Sequence, residues 1–236
     1  MPLPCVVLGG GMGLRMRPVT ERLPKALLQV AGRPFAELQL EWLRREGVHE
    51  VIYCVGHLGW MIREQLGDGR RLGVTIDYVD EGEALMGTAG ALRLAYDKGV
   101  LPATFFVLYG DSYLSVELEA VARDFAARSA LALMTVLRNE NRWGRSNVIV
   151  GDGMVQVYEP DAAVPHPGMR WIDYGVSVLR REIVAARVDR ERPAALSALW
   201  QQLSRAAELV AFEVVDRFFE IGSPAGLAEL EAHLTG

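Results

Sequence analysis

The stretch VVLGGGMGLRMRPVTERLPKALLQV, from Val6 to Val30, decides how the rest of the chain is interpreted. It begins with a short apolar run, continues into a segment (9–13) in which four of five residues are glycine, and then spaces cationic residues among prolines. The chain contains only two lysines, and one of them, Lys25, stands in this stretch. A strand that ends in a glycine loop, followed by cations, is typical of a site that binds an anion.

The composition predicts a single α/β domain over residues 1–236. Hydrophobic residues make up 50% of the chain and charged residues 23%, which allows a substantial core. The formal net charge of −5 argues against nucleic acid as a partner, because such binding normally requires a basic surface. Apolar runs are of strand length, and the first four residues do not resemble a secretory signal, so we expect a cytoplasmic protein without a membrane partner.

The cysteines and histidines carry no predicted chemistry. Cys5 and Cys54 both lie inside apolar, strand-like runs, and we expect them to be buried and unpaired. The four histidines show no spacing typical of metal ligands.

Strand-like and helix-like patterns alternate along the first half of the chain, which calls for a mostly parallel sheet with helices on both faces. Further along, a hairpin is predicted around the Asp152-Gly153 turn and a loop over 161–168. The predicted strands are 5–8, 50–55, 74–79, 104–109, 131–137, 147–150, 154–158, 170–179 and 209–214, and the predicted helices are 35–46, 58–66, 88–96, 116–128, 194–203 and 224–234.

Two familiar phosphate-binding motifs do not fit the glycine loop. The dinucleotide fingerprint Gly-x-Gly-x-x-Gly fails because its third glycine would fall on Leu14 or Met16. The Walker-type loop fails because Leu14-Arg15 stands where Gly-Lys is required. What remains is a nest of backbone amides with Arg15 and Lys25 beside it, at the sheet edge where open α/β folds bind ligands.

Taken together, these residues resemble the signature of the sugar-1-phosphate nucleotidyltransferases, Gly-Gly-x-Gly-Thr-Arg-Leu-x-Pro-x-Thr followed by Pro-Lys. Two positions depart from it. Leu14 replaces a threonine and removes one expected phosphate contact, whereas Met16 replaces a leucine and keeps the apolar bulk. The matching residues are Gly10, Gly11, Gly13, Arg15, Pro18, Thr20, Pro24 and Lys25.

Other segments extend the resemblance along most of the chain. Glu81 with 85–92 (LMGTAGAL) is similar to the family's base-recognising segment, and 108–111 (LYGD) to the strand end whose aspartate binds magnesium. The segments 143–144, 158–160 and 219–224 occupy the places of sugar-binding and closing elements. The resemblance implies a Rossmann-like three-layer α/β fold with a mostly parallel central sheet and a small sugar-binding β insertion. Residues 1–115 would mainly bind nucleotide, and 116–236 would mainly bind the sugar phosphate and close the site.

The resemblance also implies roles for individual residues. Arg15, Lys25 and Asp111 would be catalytic, and Asp111 and Glu220 would hold magnesium. The nucleotide would be bound by Leu8, Gly9, Gly10, Gly11, Met12, Gly13, Glu81, Gly87 and Thr88. The sugar phosphate would be bound by Tyr109, Gly144, Arg145, Asn147, Glu159, Asp173 and Tyr174.

Several of these assignments have alternatives. Asp111 follows an apolar strand and a glycine, so it should emerge at the sheet edge, where it could instead cap a helix. Glu220 stands where the family has aspartate and could be a solvated charge. Many relatives have Glu-Lys-Pro where this chain has Tyr158-Glu159-Pro160, so the lysine that usually meets the sugar phosphate is absent. Arg142 or Arg145 would have to take its place, unless both are solvated loop charges. The segment 172–175 could simply be a core strand.

The implied reaction is attack by a sugar-1-phosphate oxygen on the α-phosphorus of a nucleoside triphosphate, which releases pyrophosphate. A phosphate monoester has a second pKa of about 6 and needs no general base at neutral pH. The elements Arg-Asn-x-x-x-Trp and Ile-Asp-Tyr-Gly point toward heptose-1-phosphate guanylyltransferases, with uridylyl, cytidylyl and thymidylyl transferases left open. A non-catalytic nucleotide-sugar-binding regulator on the same fold is the alternative from another class. Monomer and homodimer both remain open.

Overall fold

A computed structural model of the protein describes residues 3–82, 84–161 and 166–236. Short 3₁₀ turns at Leu14–Met16, Val19–Glu21 and Lys25–Leu27 follow the first strand. The strands are β1 (Cys5–Leu8), β2 (Gln29–Val30), β3 (Arg33–Pro34), β4 (Glu50–Val55), β5 (Thr75–Asp80), β6 (Thr104–Tyr109), β7 (Ser112–Tyr113), β8 (Ala132–Arg138), β9 (Val148–Gly151), β10 (Met154–Tyr158), β11 (Trp171–Arg180), β12 (Leu209–Val214) and β13 (Phe219–Glu220). The helices are α1 (Phe35–Arg45), α2 (Gly59–Leu66), α3 (Gly87–Asp97), α4 (Leu118–Ala127), α5 (Arg181–Arg187), α6 (Leu196–Arg205) and α7 (Pro224–Thr235).

The central sheet has nine strands in the order β5-β4-β1-β6-β11-β8-β12-β10-β9. β5, β4, β1 and β6 are parallel neighbours, as the alternating pattern predicts. The second half of the sheet is mixed, because β11 runs antiparallel to both β6 and β8 and β10 runs antiparallel to β12 and β9. The expectation of a mostly parallel sheet is therefore corrected for this half, where the tight turn between β9 and β10 imposes an antiparallel pair.

Side chains on the two faces of the sheet enter two separate cores. On one face, Val7 packs with buried residues of α1, α2 and α4; on the other, Val6 and Leu8 pack with α3, α5 and α6. Successive strand residues point to opposite faces, so the fully buried β1 contributes to both cores. The three-layer arrangement with helices on both faces is present.

A third, smaller core lies between α7 and the segment after the glycine loop. It includes Met16, Phe35, Phe219 and Ile221. Met16 is buried there, as its apolar replacement for leucine predicts. The packing holds the cationic segment 15–25 against the chain that carries Glu220.

The predicted helices and long strands are present within a few residues of their expected ends, but three features were missed. α5 has only Ile183 and Val184 buried among charged neighbours, so its pattern is weak. The pairs β2–β3 and β7–β13 are only two residues long per strand. The predicted loop 161–168 lies partly outside the described residues.

Both cysteines are free and buried, as predicted. In the part of the chain that the structure describes, no helix combines the length and apolar character needed to cross a lipid bilayer.

The strand ends of β1 and β6 approach so closely that Gly110 should be irreplaceable. A Cβ atom there would lie 2.6 Å from the Leu8 carbonyl oxygen and 2.8 Å from Gly9 Cα, which are backbone atoms that cannot rotate away. We expect Gly110→Ala to lower the free energy of unfolding by ~1–3 kcal/mol in urea titrations. Gly11→Ala is the matched control, because a Cβ at Gly11 would have no atom within 4 Å and its unfolding should be unchanged. Equal stability of the two variants would refute this packing.

Candidate active site

A cleft of about 250 Å³ opens at the carboxyl ends of β1 and β6. Its walls combine the glycine loop with the segments after β5 and β6, as expected for a ligand site in an open α/β sheet. Tyr109, which was predicted to bind the sugar phosphate, lines the cleft. Of the residues predicted to bind nucleotide or to catalyse, the cleft is lined by Leu8, Gly9, Gly10, Gly11, Gly13, Lys25, Glu81, Gly87, Thr88 and Asp111. Met12 is exposed and lies in a neighbouring concavity instead.

The glycines of the loop have different roles. At Gly10 a Cβ would lie 2.5 Å from Glu81 Oε1, and Gly13 has a φ of +59° with its carbonyl accepting a 2.8 Å hydrogen bond from Thr20 Oγ1. These two glycines are therefore required by the protein's own packing. Gly11 faces open space, so it is where a ligand can approach the backbone most closely.

Glu81 lies partly buried at the other end of the cleft. Its Oε2 accepts a 2.8 Å hydrogen bond from the Met86 amide, which fixes the carboxyl group against the segment before α3. Burial raises the pKa of Glu81. The second oxygen, Oε1, faces Gly10 and is available to a ligand donor at that point.

The amino end of α3 is closed by protein. The Ala194 carbonyl accepts hydrogen bonds from the amides of Ala89 (2.9 Å) and Gly90 (3.1 Å), and Thr88 Oγ1 accepts one from Leu196 N (2.7 Å). Gly87 allows this approach, since a Cβ there would lie 2.7 Å from the Ala194 oxygen. A phosphate group would therefore find the free amides in the glycine loop rather than at this helix.

Lys25 and Asp111 form an ion pair between the segment after the glycine loop and the end of β6. Lys25 Nζ contacts Asp111 Oδ2, and the side chains are 17% and 26% exposed, respectively. Both charges are thus partly desolvated, and each depends on the other more than a surface pair would.

Arg15 joins this pair over Gly222. A Cβ at Gly222 would lie 2.7 Å from an Arg15 guanidinium nitrogen and 3.4 Å from Lys25 Nζ. Within the described residues, Arg15 has no carboxylate within 4.0 Å. Arg15 and Lys25 thus lie close together with only Asp111, of the residues described, in direct ionic contact, so the two cations can together bind an anionic ligand.

Glu220 is brought to Asp111 by the short ladder between β7 and β13. Glu220 stands opposite Ser112, and the Ile221 amide donates a 3.0 Å hydrogen bond to the Asp111 carbonyl. Glu220 is exposed as a residue, but neighbouring protein atoms limit the hydration of its carboxyl group. This desolvation and the nearby Asp111 charge raise the pKa of Glu220 to about 7. Lys25 and Arg15 oppose that shift.

The Asp111 and Glu220 pair fits a magnesium ion in its chemistry. Mg²⁺ is usually held by one or two carboxylates together with phosphate oxygens and water. A cation would also relieve the repulsion that raises the Glu220 pKa. Among the described residues, no cluster of three or more His, Cys, Asp or Glu residues could bind a metal by itself, so substrate oxygens would have to complete such a site.

Three of the residues expected to bind the sugar phosphate form one group. Tyr109 Oη donates to Asp173 Oδ2 (3.1 Å), the Gly175 amide donates to Asp173 Oδ1 (3.1 Å), and the Asp173 amide donates to Asn147 Oδ1 (3.1 Å). The ladder between β11 and β8 is irregular here, and Gly175 has a φ of +108°. Burial raises the pKa of Asp173 to about 6.

The structure contradicts the assignment of Tyr174. Its side chain is fully buried on the opposite face of β11, packs edge-on against Phe218, and hydrogen-bonds Ser115 N and O. Adjacent strand residues point to opposite faces, so Tyr174 cannot share a pocket with Asp173. Tyr174 is a core residue.

Gly144, Arg145 and Glu159 do not line the cleft described above. Gly144 and Arg145 lie in an exposed loop, where the Gly144 carbonyl accepts a 2.7 Å hydrogen bond from Asn139 Nδ2. The Glu159 amide donates to the Asn147 carbonyl (2.9 Å), so the backbone of Glu159 lies beside one member of the Asp173 group.

Asn139 belongs to the Arg-Asn-x-x-x-Trp element of the sequence, but no role of its own was predicted for it. It is fully buried, and its Oδ1 accepts from Trp143 N (3.0 Å) while its Nδ2 also reaches Ser146 Oγ (3.1 Å). These bonds fix the shape of the loop 139–147. An asparagine at a strand end before a Trp-Gly pair is the turn signal that would have indicated it.

Comparison with known proteins accords with this geometry. A model of the nucleotidyl transferase family matches residues 5–176, which include β1, the glycine loop, Lys25 and Asp111. The chain belongs to the nucleotidyl transferase family.

The relatives in this family differ in the sugar phosphate and the nucleotide that their names specify. The chain is 30% identical over 156 residues to D-glycero-alpha-D-manno-heptose 1-phosphate guanylyltransferase of Campylobacter jejuni, which covers 65% of this chain and 67% of that protein. It is 27% identical over 191 residues to UTP--glucose-1-phosphate uridylyltransferase of Synechocystis, which covers 76% of this chain and 49% of that protein. Other matched relatives are also longer: the chain spans 61% of a rice protein and 44% of one from Haloferax volcanii.

Solved structures of the same fold cover nearly the whole chain. HddC from Yersinia pseudotuberculosis complexed with GMP-PN superposes with a TM-score of 0.80 at 20% identity, over 99% of this chain and 100% of that one. The inositol-1-phosphate CTP transferase from T. maritima gives a TM-score of 0.77 at 20% identity, over 98% and 95%. At these identities the likeness establishes the nucleotidyltransferase-type α/β fold.

The raised pKa of Asp173 predicts a pH-dependent stability. The folded protein holds the Asp173 proton up to about pH 6, whereas a free aspartate has a pKa of about 3.9. The free energy of unfolding should therefore fall as the pH rises from about 4 to about 6, and level off above that. Asp173→Asn removes this contribution. In urea titrations, the difference in the free energy of unfolding between wild type and variant should therefore change by roughly 2–3 kcal/mol from about pH 4 to about pH 6. Parallel curves at all pH values would contradict the assignment.

Proposed function

We propose that the chain transfers a nucleotidyl group from a nucleoside triphosphate to a sugar-1-phosphate, with release of pyrophosphate. The observation that carries the proposal is the convergence of Arg15, Lys25, Asp111 and Glu220 at one end of a glycine-lined cleft. Cations suited to phosphates and a carboxylate pair suited to a divalent ion stand together, which is the equipment that phosphoryl transfer requires.

In this proposal the protein aligns charges rather than moving protons. The attacking phosphate monoester has a second pKa of about 6 and is already nucleophilic at neutral pH. The amides at Gly11 and the guanidinium of Arg15 would hold the triphosphate. The Lys25 ammonium is compact and stands on a flexible stem, so it can exchange its Asp111 contact for a phosphate oxygen. It would thus stabilise the negative charge that develops on the pyrophosphate leaving group. Asp111 and Glu220 would hold Mg²⁺, which supplies neutralisation of the phosphate charge.

The sugar would lie toward the group formed by Tyr109, Asn147 and Asp173. A buried carboxylate repels a phosphate but accepts hydrogen bonds from hydroxyl groups, so we assign Asp173 to the sugar ring and the phosphate to the cationic end. The names of the C. jejuni and Aneurinibacillus thermoaerophilus relatives favour a heptose-1-phosphate and GTP as the substrates. Glu81 Oε1 is suited to accept hydrogen bonds from guanine. A cytoplasmic location stays a prediction from the sequence, which leaves both a monomer and a homodimer open.

A second candidate is a non-catalytic regulator that binds nucleotide sugars. Two observations favour it: Leu14 is 56% exposed where the family has a hydroxyl, and Glu159 stands where many relatives have a lysine. Either change removes a phosphate contact while leaving the cleft open.

An assay of pyrophosphate release separates the two candidates. Four nucleoside triphosphates are combined with heptose-, glucose-, mannose- and N-acetylmuramate-1-phosphates, with magnesium present. Turnover with one pair supports the transferase, and GTP with a heptose-1-phosphate is the pair we expect. Nucleotide binding by calorimetry without turnover for any pair would favour the regulator.

Removing either member of the ion pair should abolish most of the turnover. We expect Lys25→Ala and Asp111→Ala each to lower kcat by at least ~100-fold, since each removes a group that stabilises charge in the transition state. Lys98→Ala is the matched control, because Lys98 is the other lysine and lies exposed just after α3. A near-normal rate in either pair variant would remove that residue from the mechanism.

Gly222→Ala should separate activity from stability. The three atoms nearest to the added Cβ belong to the ends of the Arg15 and Lys25 side chains, which can move, so thermal unfolding should change little. The same movement would displace Arg15 from the centre, and we expect kcat/KM for pyrophosphate release to fall by roughly 10- to 100-fold. A fully active variant would show that Arg15 need not occupy this position.

A further inference from the structure

Gln39 lies in α1, close to the cleft but not in it. Its side chain is fully buried. The Nε2 group donates two hydrogen bonds to main-chain carbonyls, to Tyr109 O at 3.0 Å and to Ser112 O at 2.9 Å. No motif in the sequence points to this residue, because it lies within an ordinary amphipathic helix pattern.

The two carbonyls that Gln39 binds stand on either side of Gly110 and Asp111. On the other side of this segment, the Asp111 carbonyl accepts the Ile221 amide of the β7–β13 ladder at 3.0 Å. Successive carbonyls of an extended segment point in opposite directions, so Ser112 O turns away from β13 and toward α1. The turn that presents Asp111 is therefore held from both sides, by β13 and by Gln39.

The same part of the chain also carries Lys25. The turn Lys25–Leu27 leads into α1 through the short β2–β3 hairpin, and Phe35 N donates to Leu28 O at 2.9 Å. The segment 25–39 thus contacts this turn twice, with the Lys25 ammonium at the Asp111 carboxylate and with the Gln39 amide at the carbonyls that flank it in the chain. A shift of α1 would move both contacts together.

An apolar side chain would not replace this amide. Gln39 Oε1 is buried and finds no hydrogen-bond partner among the described residues, which is an unfavourable environment for a glutamine that served only as packing. The donor end has good geometry to two carbonyls at once. Its chemistry therefore serves the backbone on either side of Asp111.

We propose that Gln39 is a positioning residue, which fixes the Asp111 turn so that its carboxylate stays in register with Lys25 and Glu220. The catalytic consequence rests on the proposed transferase function. Gln39 contacts no substrate; it acts through the backbone of residues 109–112.

The main test is Gln39→Met, which keeps the length and the apolar part of the side chain and removes the donor. Pyrophosphate release should show a kcat lowered by roughly 10- to 100-fold, because the carboxylate is misplaced by a fraction of an ångström to an ångström. KM for the nucleoside triphosphate should stay within about 3-fold of wild type, since in the proposed function the glycine loop, Arg15 and Glu81 bind the nucleotide in the ground state. Among the described residues, the Gln39 side chain hydrogen-bonds none of these groups.

Leu43→Ala is the matched control. Leu43 lies one turn further along α1, is also fully buried, and makes no hydrogen bond through its side chain. It should lower the unfolding temperature at least as much as Gln39→Met while leaving kcat within about 2-fold of wild type, because it leaves a cavity one turn away in the core and removes no hydrogen bond to the Asp111 turn. If Gln39→Met does not fold, Gln39→Asn keeps the amide but withdraws it by one methylene, and an intermediate kcat is expected.

Amide hydrogen exchange gives a second readout that does not need turnover. In Gln39→Met, the amides of peptides covering 109–113 should exchange faster than in wild type, by a larger factor than the amides of α1. In Leu43→Ala, the amides of 109–113 should exchange at the wild-type rate. A kcat within about 2-fold of wild type in Gln39→Met, an equal kcat loss in Leu43→Ala, or unchanged exchange at 109–113 would overturn the proposal. If the wild type turns over no substrate pair, the transferase proposal fails and the exchange comparison alone decides the role of Gln39.

Discussion

The ion pair between Lys25 and Asp111 is the interaction on which the arrangement of the site depends. It joins the segment after the glycine loop to the end of β6, and both side chains are largely withdrawn from solvent. A half-buried charge that loses its partner is strongly unfavourable, so the pair fixes both segments in place. Arg15 and Glu220 then gather around it, each beside a charge of its own sign. Like charges therefore lie side by side, Arg15 with Lys25 and Glu220 with Asp111, and an anion beside the cations together with a divalent cation beside the carboxylates would relieve this repulsion.

The cleft owes its shape to close approaches of backbone to backbone. Gly110 lets β1 and β6 end side by side, Gly10 makes room for Glu81, and Gly87 makes room for Ala194. These glycines therefore position the walls, and Gly11 alone among the loop glycines that line the cleft leaves open space above its backbone. Because Ala194 already caps the first turn of α3, a phosphate group would be bound by the glycine loop and side-chain cations, with little contribution from that helix end.

The sequence predicted the elements that local pattern encodes. The apolar periods of β1, β4, β6 and α1 and the Asp-Gly turn of the β9–β10 hairpin are visible in a few neighbouring residues, and the structure has them near their expected ends. The prediction for Tyr174 failed for a physical reason. The segment 172–175 was assigned to the sugar pocket as a whole, but successive residues of a strand point to opposite faces, so Asp173 and Tyr174 lie on opposite faces of β11. The mixed second half of the sheet was missed because strand direction depends on pairing partners far along the chain.

By itself, the sequence determined the glycine loop after a buried strand, the cations that follow it, and the aspartate at the end of β6. These features depend on residue chemistry and on spacings short enough to be fixed by one turn or one strand. Only the tertiary structure decided that Gln39 of α1 would hold the turn at Asp111, that Arg15 would meet Lys25 over Gly222, and that β13 would bring Glu220 to Asp111. These contacts join segments that are far apart in the chain, and their geometry follows from how whole helices and strands pack, which no local pattern of residues encodes.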